Sequence, residues 1–375
     1  MHTKTVLRNV RLASGLILMA FVVSHLVNLS LGLHSLATME SWRATLIGPW
    51  QSPAGRILLG GSALLHALLG LYALAARRSL SMSRTDWVQL ALGVLTPPLL
   101  ISHVLMTAVA SEVASGYEPS YGLVLAVYWS IAPAYAFLQL FAVMFVWVHA
   151  ALGLHSWLVL KPVWRRIGGV VLPLLFVVPI AALLGFAESG KEVVDKLANE
   201  AEWRAEILDS AGRIDQVRAQ LDTIRRWVLI TYGCLALLAI GVFAGRILRD
   251  RMTRVRVEYD GGLVAQGRRG LSILELSRMN EIPHADVCSG RGRCGTCRVH
   301  VDSGADHLSP LNEFEAPTLA RVHAAQGDRL ACQARVLVAS VSVTRLLPAF
   351  ADASAARQPE EWTSDGPAPA AEPVS

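Results

Sequence analysis

The chain has 375 residues, of which 53% are hydrophobic and 17% are charged, and its formal net charge is +5. A soluble domain of this length is usually less apolar and more charged, so the composition excludes an ordinary soluble protein and favours one that lies in a lipid bilayer. The positive charge falls mainly in the connections between apolar stretches, and it gives no reason to expect a nucleic-acid partner.

Six apolar stretches of spanning length precede residue 250. They cover about 12–35, 55–76, 87–110, 134–160, 167–187 and 227–247. The first is too long for the apolar core of a signal peptide, and no small-residue cleavage pattern follows it, so we expect it to remain as a span. We predict an all-α polytopic membrane bundle, with five spans in residues 1–187 and a helical segment plus the sixth span in 188–250.

Lysine and arginine concentrate in alternate connections. They precede the first span and follow the second, fourth and sixth, whereas the connection at 111–133 has neither. Cytoplasmic connections carry such an excess, so we predict that both termini are cytoplasmic and that the connection at 188–226 lies on the periplasmic side.

Each of the first four spans carries one histidine near its middle, namely His25, His66, His103 and His149. An ionisable group at that depth is costly without a partner or a function. A lone histidine there is most often a hydrogen-bonded packing residue. Four on neighbouring helices instead satisfy the requirement of bis-histidine haem, whose ligands project inward from facing helices.

The sequence around these histidines recurs. The matching segments are 24–27 with 102–105, and 66–71 with 149–154. A pseudo-two-fold axis along the membrane normal would pair His25 with His103 and His66 with His149, which predicts two haems of the b type, with one haem as the alternative.

Other residues near these histidines have less certain roles. Gly70 and Gly153 each follow a histidine by one helical turn, where they would make room for a porphyrin or permit close helix packing. His34 and His155 lie on other helix faces near span ends, and they are expected to be interfacial residues, with a role beside quinone or a haem propionate as the alternative.

This placement of histidines, over about residues 10–160, resembles the haem b anchor subunits of the succinate dehydrogenase and fumarate reductase superfamily. The resemblance implies that quinone is reduced or oxidised near the haems. It makes lipid and quinone the expected partners within the membrane.

Residues 207–228 carry apolar side chains in steps of seven, and the pattern runs into the sixth span. Such a heptad pattern is typical of a helix that packs along another helix. Two interpretations are open. The segment 189–228 forms a homodimer with a second protomer, or it packs on its own bundle or on its own preceding half.

Four cysteines near the C-terminus follow the spacing Cys-x5-Cys-x2-Cys and then one distant cysteine: Cys288, Cys294, Cys297 and Cys332. Three thiolates from one loop and a fourth from elsewhere can enclose a [2Fe-2S] cluster. The glycines of the loop let its backbone curl so that amide groups point at the sulfurs. The alternative, a zinc site, usually has two close pairs of ligands, and Cys332 has no such neighbour. The fifth cysteine, Cys234, is expected to be a small buried hydrophobe.

Residues of about 252–348 resemble a ferredoxin of the adrenodoxin-like spacing class. The resemblance implies an α+β domain with a β-grasp fold, here over residues 251–348. Alternation predicts strands at 254–259 and 298–302, and helical spacing predicts a helix at 271–279. A second helix at 311–324 and two closing strands at 328–333 and 336–344 complete the domain.

Residues 349–375 are rich in Ala, Pro and Glu without an apolar period, which predicts a disordered tail. The succession of anchor and cluster domain resembles the N-terminal half of bacterial membrane-anchored class III adenylate cyclases, which implies the bacterial inner membrane. No cyclase or other catalytic domain is expected here, because the tail is too short for one.

Two functional hypotheses follow. In the first, electrons move between the quinone pool, the haems and the ferredoxin domain, which exchanges them with a cytoplasmic redox protein as part of a quinone-linked oxidoreductase. In the second, the same centres form a redox sensor that controls a separate effector such as an adenylate cyclase. A structural metal domain on a bundle without haem is a third alternative.

Overall fold

The structure is a computed structural model that describes residues 3–250, 253–352 and 355. It has a helical part followed by a small domain with a mixed sheet, as predicted. Among these residues, six helices are long and apolar enough to cross a membrane: Thr5–Leu33, Pro53–Ala75, Arg84–Val113, Ala134–Leu158, Trp164–Asn199 and Arg218–Arg249. The tail predicted after residue 349 lies outside the described residues from 356 onward.

Eleven α-helices make up the helical part within the described residues. They are α1 Thr3–Ser30, α2 Leu36–Leu46, α3 Gly48–Gln51, α4 Pro53–Ala75, α5 Arg84–Val104, α6 Ala110–Val113, α7 Tyr121–Ala126, α8 Ala134–Leu158, α9 Trp164–Asn199, α10 Ala201–Gln216 and α11 Arg218–Arg249. Helix α1 packs along α4 and α9, whereas α5 packs along α8. The bundle thus contains two helix pairs, α1 with α4 and α5 with α8.

The connections at the end of the bundle away from the C-terminal domain contain short helices that were not predicted from the sequence. Helices α2 and α3 fill the connection after the first span, and α7 continues as a π-helical turn, Val127–Ile131. Serines start α2 and α7, where Ser35 and Ser120 each accept a backbone N–H three residues ahead. A second π-helical turn, Leu105–Val109, follows α5. Such turns often occur beside functional residues.

The heptad residues pack within the chain. Ile207 and Leu221 are 4% and 8% exposed, and they belong to the same apolar core as Leu123 and Val193. The helix also breaks at Val217, so α10 and α11 are separate helices rather than one continuous rod. Ile207 and Leu221 therefore pack on the chain's own bundle, whereas Val228 is 43% exposed and a homodimer through 189–228 stays a prediction.

The C-terminal domain is a five-stranded sheet with two short helices. Its elements are β1 Arg254–Tyr259, β2 Val264–Arg268, α12 Ile273–Met279, β3 Arg298–Ser303, α13 Glu315–Arg321, β4 Asp328–Leu330 and β5 Ser340–Arg345. The strand order is β2-β1-β5-β3-β4, and β1 pairs in parallel with β5. Val255, Val257 and Tyr259 of β1 are buried in alternation, as the sequence pattern predicted. Strand β2 was missed because its pattern does not alternate.

The sheet domain docks against the end of the bundle at which α1 begins. Thr5 donates from its backbone N–H and its hydroxyl to Glu313 at 2.9 and 2.8 Å. Arg278 donates to the carbonyl of Ser81, in the connection between α4 and α5, at 3.2 Å. The start of α1, the connection between α4 and α5 and the C-terminal domain thus lie at one end of the molecule.

Candidate functional site

The four cysteines meet at the edge of the C-terminal domain as two pairs. Cys288 interacts most strongly with Cys294, and Cys297 interacts most strongly with Cys332. Within the described residues, no three His, Cys, Asp or Glu side chains are grouped to hold a single metal ion. Two separate thiol pairs match a diiron cluster, in which each iron takes two cysteines, better than a tetrahedral zinc site.

The loop between Cys288 and Cys297 curls as the sequence predicted. Gly290, Gly292 and Gly295 have φ angles of +83°, +65° and +73°, a region that residues with a Cβ rarely adopt. At Gly292, an added Cβ would also lie 3.2 Å from Gln333 and Phe314. The glycines are therefore needed both for the turn and for close packing around the sulfurs.

Backbone amides of this loop point at Cys288. The hydrogen bond from the Cys294 thiol, together with the N–H groups of Arg293, Cys294 and Arg291, lowers the pKa of Cys288 to about 5 against the opposing effect of burial. A thiol with such donors is stabilised as the thiolate, which is the form that binds iron. The loop thus favours negative charge on Cys288, whereas the neighbouring Cys288 thiol and burial raise the pKa of Cys294, and the Cys332 thiol and burial raise that of Cys297.

All four cysteines are buried, with between 1% and 6% of their surface exposed. Leu160, two residues after the end of α8, packs against Cys288 and Cys294 and is itself 2% exposed. The edge formed by Cys288 and Cys294 therefore faces the bundle. By contrast, Cys234 lies exposed on the surface of α11, so the expectation that it is buried was wrong.

The four histidines of the first four spans meet as the two predicted pairs. The ring centroids of His25 and His103 are 6.0 Å apart, and those of His66 and His149 are 6.1 Å apart. Two imidazoles that ligate one metal from opposite sides, through bonds of about 2 Å, have centroids about 6 Å apart. Each ring pair bridges the two helix pairs, and each can hold a metal between its rings.

Main-chain oxygens fix the rings of His66 and His149. The Nδ1 atom of His66 lies 3.1 Å from the carbonyl oxygen of Arg11, and that of His149 lies 2.9 Å from the carbonyl oxygen of Gln89. Because a carbonyl only accepts, each Nδ1 carries the proton and each Nε2 is left with a free lone pair. This is the usual outer-shell arrangement of a metal-binding histidine.

A glycine supports each of these two rings. A Cβ on Gly15 would lie 2.9 Å from Cε1 of His66, and a Cβ on Gly93 would lie 2.7 Å from Cε1 of His149. Neither glycine was predicted from the sequence to contact a histidine. A signal existed, because ten residues separate Gly15 from His25 and Gly93 from His103, as the internal repeat requires.

The other pair lies deeper in the bundle and has aromatic neighbours. The hydroxyl of Tyr128, in the π-helical turn after α7, lies 3.1 Å from Nδ1 of His103. Phe21 and Tyr121 stack on His25 at 5.6 and 6.4 Å. Neither tyrosine was predicted from the sequence, since both lie in the connection at 111–133, outside the predicted spans.

The remaining histidine and glycine predictions have mixed outcomes. His34 bonds Thr38 and His155 packs against Trp164, so neither joins a ring pair. A Cβ on Gly70 would meet nothing within 4 Å, whereas one on Gly153 would lie 3.0 Å from the side chain of Gln89. Gly153 therefore serves close packing, and of these two glycines Gly70 is the one that adjoins open space.

Arg291 connects the cysteine loop to the bundle. Its Nη2 atom donates to Asp86 at 2.7 Å and lies 3.5 Å from the side-chain oxygen of Gln89. Gln89 is the residue whose carbonyl holds His149. The cysteine loop and the His66/His149 pair are thus linked through one residue of α5.

These features define an iron-sulfur domain of ferredoxin type docked on a bundle of apolar helices. Residues 259–337 match the family described as 2Fe-2S iron-sulfur cluster binding domain. A stretch of 72 residues is 31% identical to 2Fe-2S ferredoxin-5 of Aquifex aeolicus and spans 19% of this chain and 75% of that protein. Through this domain the chain belongs to the 2Fe-2S ferredoxin family.

Two further similarities were found. A stretch of 67 residues is 39% identical to chlorosome protein I of Chlorobaculum tepidum, and it spans 18% of this chain and 28% of that protein. The ISC-like [2Fe-2S] ferredoxin FdxB of Pseudomonas putida is 27% identical, with a TM-score of 0.23, over 26% of this chain and 94% of that structure.

Proposed function

We propose that the chain carries electrons across a membrane between quinone, two b-type haems and a [2Fe-2S] cluster that exchanges them with a soluble redox protein. Cys288, Cys294, Cys297 and Cys332 hold the cluster. His25 with His103, and His66 with His149, hold the haems. The observation that carries the proposal is the 6.1 Å spacing of His66 and His149 beside the docked cysteine loop.

The spacing and orientation of the histidine rings support the haem assignment. The two ring pairs have the spacing of a bis-ligated iron, and carbonyl oxygens leave Nε2 of His66 and His149 free for a metal. Each pair also bridges two packed helix pairs, which is the arrangement that a planar macrocycle between helices requires. When bound, a haem of this kind accepts and returns one electron without opening a coordination site to another ligand.

The two histidine pairs lie at different positions along the bundle axis. This separation suits electron transfer through the bundle from one haem to the other. His66 bonds Arg11, which precedes His25 by fourteen residues of the same helix. That interval corresponds to about 20 Å along the helix axis. The His66/His149 pair lies at the end nearer the cysteine loop, and the His25/His103 pair lies towards the opposite face.

The side of the membrane follows from the charged connections. The Lys- and Arg-rich start of α1 and the iron-sulfur domain share one end of the molecule, and we assign this end to the cytoplasm of a bacterial cell. The His25/His103 pair then lies towards the periplasmic face, where quinone would exchange electrons.

Optical and magnetic spectra test the proposal. Detergent-solubilised protein from haem-sufficient cells should contain two b-type haems and, after reduction, one rhombic [2Fe-2S] EPR signal per chain. Reduced quinone should reduce the haems and, through them, the cluster. A preparation that contains the cluster but no haem would exclude this function.

Burial of the cysteines supports redox sensing as a second candidate. Leu160 covers the Cys288/Cys294 edge, so a soluble partner has limited access to it. Turnover separates the two functions. Continuous reduction of a soluble acceptor by quinol favours electron transfer, whereas a single equilibrating reduction that alters an effector favours sensing.

A further inference from the structure

The interface between the bundle and the iron-sulfur domain contains a group of arginines that we call the arginine cluster: Arg8, Arg11, Arg77, Arg291 and Arg293. The guanidinium of Arg11 is within electrostatic range of those of Arg291, Arg77 and Arg8. Like charges that are partly removed from water repel each other strongly. Such a group is stable only if anions neutralise it.

The acidic side chains nearby are already engaged. Asp86 forms an ion pair with Arg291 at 2.7 Å, and Glu313 accepts from Thr5. Glu275 accepts from the backbone of Ser272 in a capping box. Within the described residues, neither Arg11 nor Arg77 forms an ion pair.

Negative charge on the cysteine loop does not neutralise Arg11 or Arg77. The charge of Cys288 acts on Arg293, which lies in the loop itself. The charged groups that act on Arg11 and Arg77 are instead other arginines, Asp86 and Glu275. Arg77 has Asp86 and Glu275 nearby, and both are already bonded elsewhere, whereas all the charged groups that act on Arg11 are arginines, so the charge of Arg11 is left without a matching anion.

The position of Arg11 indicates which anion belongs there. Its carbonyl holds His66, and Arg291 reaches Gln89, whose carbonyl holds His149. The arginine cluster thus adjoins both rings of this pair on the side of the iron-sulfur domain. On the other side the bundle core is apolar, with Met19, Val22 and Val23 of α1, and a carboxylate there would be buried without partners.

We propose that Arg11 and Arg77, with Arg291, bind the two carboxylate groups of the haem between His66 and His149. This inference rests on the proposed function, since it requires a haem at that pair. Guanidinium groups suit the task because each offers paired N–H donors to a carboxylate. The haem is then fixed in one orientation, with its charged edge towards the cysteine loop.

The test compares haem with haem dimethyl ester, which has the same macrocycle but no carboxylate charge. Both are titrated into haem-free full-length protein that carries His103→Ala, so that only the His66/His149 site is measured. We expect haem to bind about tenfold or more tightly than the ester, because charged hydrogen bonds are lost with the ester. Arg11→Gln with Arg77→Gln should abolish this preference, and Arg11→Lys with Arg77→Lys should restore most of it.

Arg218→Gln is the matched control, since Arg218 pairs with Asp215 on an exposed helix surface far from the rings. This variant should still bind haem more tightly than the dimethyl ester. Equal binding of haem and ester by the parent protein would overturn the proposal, as would a preference that survives in the double Gln variant. If inorganic phosphate stabilises the parent but not that variant while haem and ester bind equally, the arginines bind phosphate instead. Failure of the parent to bind either macrocycle would overturn the haem site itself.

Discussion

Gln89 holds His149 through its main-chain oxygen, 2.9 Å from Nδ1, while its side-chain oxygen lies 3.5 Å from Arg291 in the cysteine loop. One residue of α5 therefore contacts both the proposed haem ligand and the proposed cluster loop. A movement of the loop would alter the environment of His149 directly. With the proposed haem and cluster bound, this contact would link the environments of the two centres.

Replacement of His66 or His149 by Ala should remove one haem and leave the other, because the two ring pairs use different histidines. The haem content per chain, measured by pyridine haemochrome, should fall by half. His34→Ala should retain both haems, since His34 bonds Thr38 and belongs to neither pair. Loss of both haems, or of neither, in the His66 variant would contradict the pairing.

Gly15→Ala and Gly93→Ala should each disturb the haem nearer the cysteine loop. The added Cβ would lie 2.9 Å from His66 or 2.7 Å from His149, so the ring must shift from its carbonyl partner. We expect a lowered content of that haem or a split α-band in the reduced spectrum. Gly60→Ala and Gly61→Ala are matched controls, because a Cβ at either position meets nothing within 4 Å. Equal spectra in all four variants would refute the supporting role of the two glycines.

Periodic features were predictable from the sequence. The six spans and strand β1 followed from runs and alternation of apolar side chains, and the two ring pairs followed from a repeat around His25 and His103. These signals are local or nearly so. They require only that a helix or strand present one face consistently.

Contacts between distant segments were not predictable in this way. The ion pair of Arg291 with Asp86 joins residues that are 205 positions apart, and neither residue type indicates a partner. Tyr128 was missed because its π-helical turn lies in a connection that has no apolar period. The docking of the iron-sulfur domain depends on the fold of both parts, so it leaves no periodic pattern in either.

Cys288→Ser should reduce the yield of the [2Fe-2S] EPR signal severely while the haem content stays unchanged. The serine oxygen is a harder and poorer ligand for cluster iron than the thiolate, which here is stabilised by loop amides. Cys234→Ser should keep the full signal, because Cys234 lies on the surface of α11 away from the loop. A cluster that persists in the Cys288 variant, with unchanged g-values, would exclude Cys288 as a ligand.

Arg291→Gln should loosen the docking of the iron-sulfur domain. The ion pair with Asp86 is partly buried, with side chains 30% and 10% exposed, so its loss should cost about 1–3 kcal/mol of docking free energy. We expect faster proteolytic release of the domain and weaker relaxation enhancement of the reduced cluster by ferric haem. Arg256→Gln, which affects an exposed pair within β1, should change neither measurement.

Glu315→Ala should destabilise the iron-sulfur domain by roughly 3–5 kcal/mol, because it leaves the charge of Arg329 without its partner. The Glu315 carboxylate is fully buried and accepts from Arg329 at 2.8 and 2.9 Å and from the N–H of Leu330 at 2.8 Å. These bonds fix β4, which leads directly to Cys332. The cluster absorbance should therefore disappear at a lower temperature than in the parent protein while the haem bands persist. Glu258→Ala, at an exposed position of β1, should leave that temperature unchanged, and equal midpoints in the two variants would show that the buried pair does not stabilise the cluster domain.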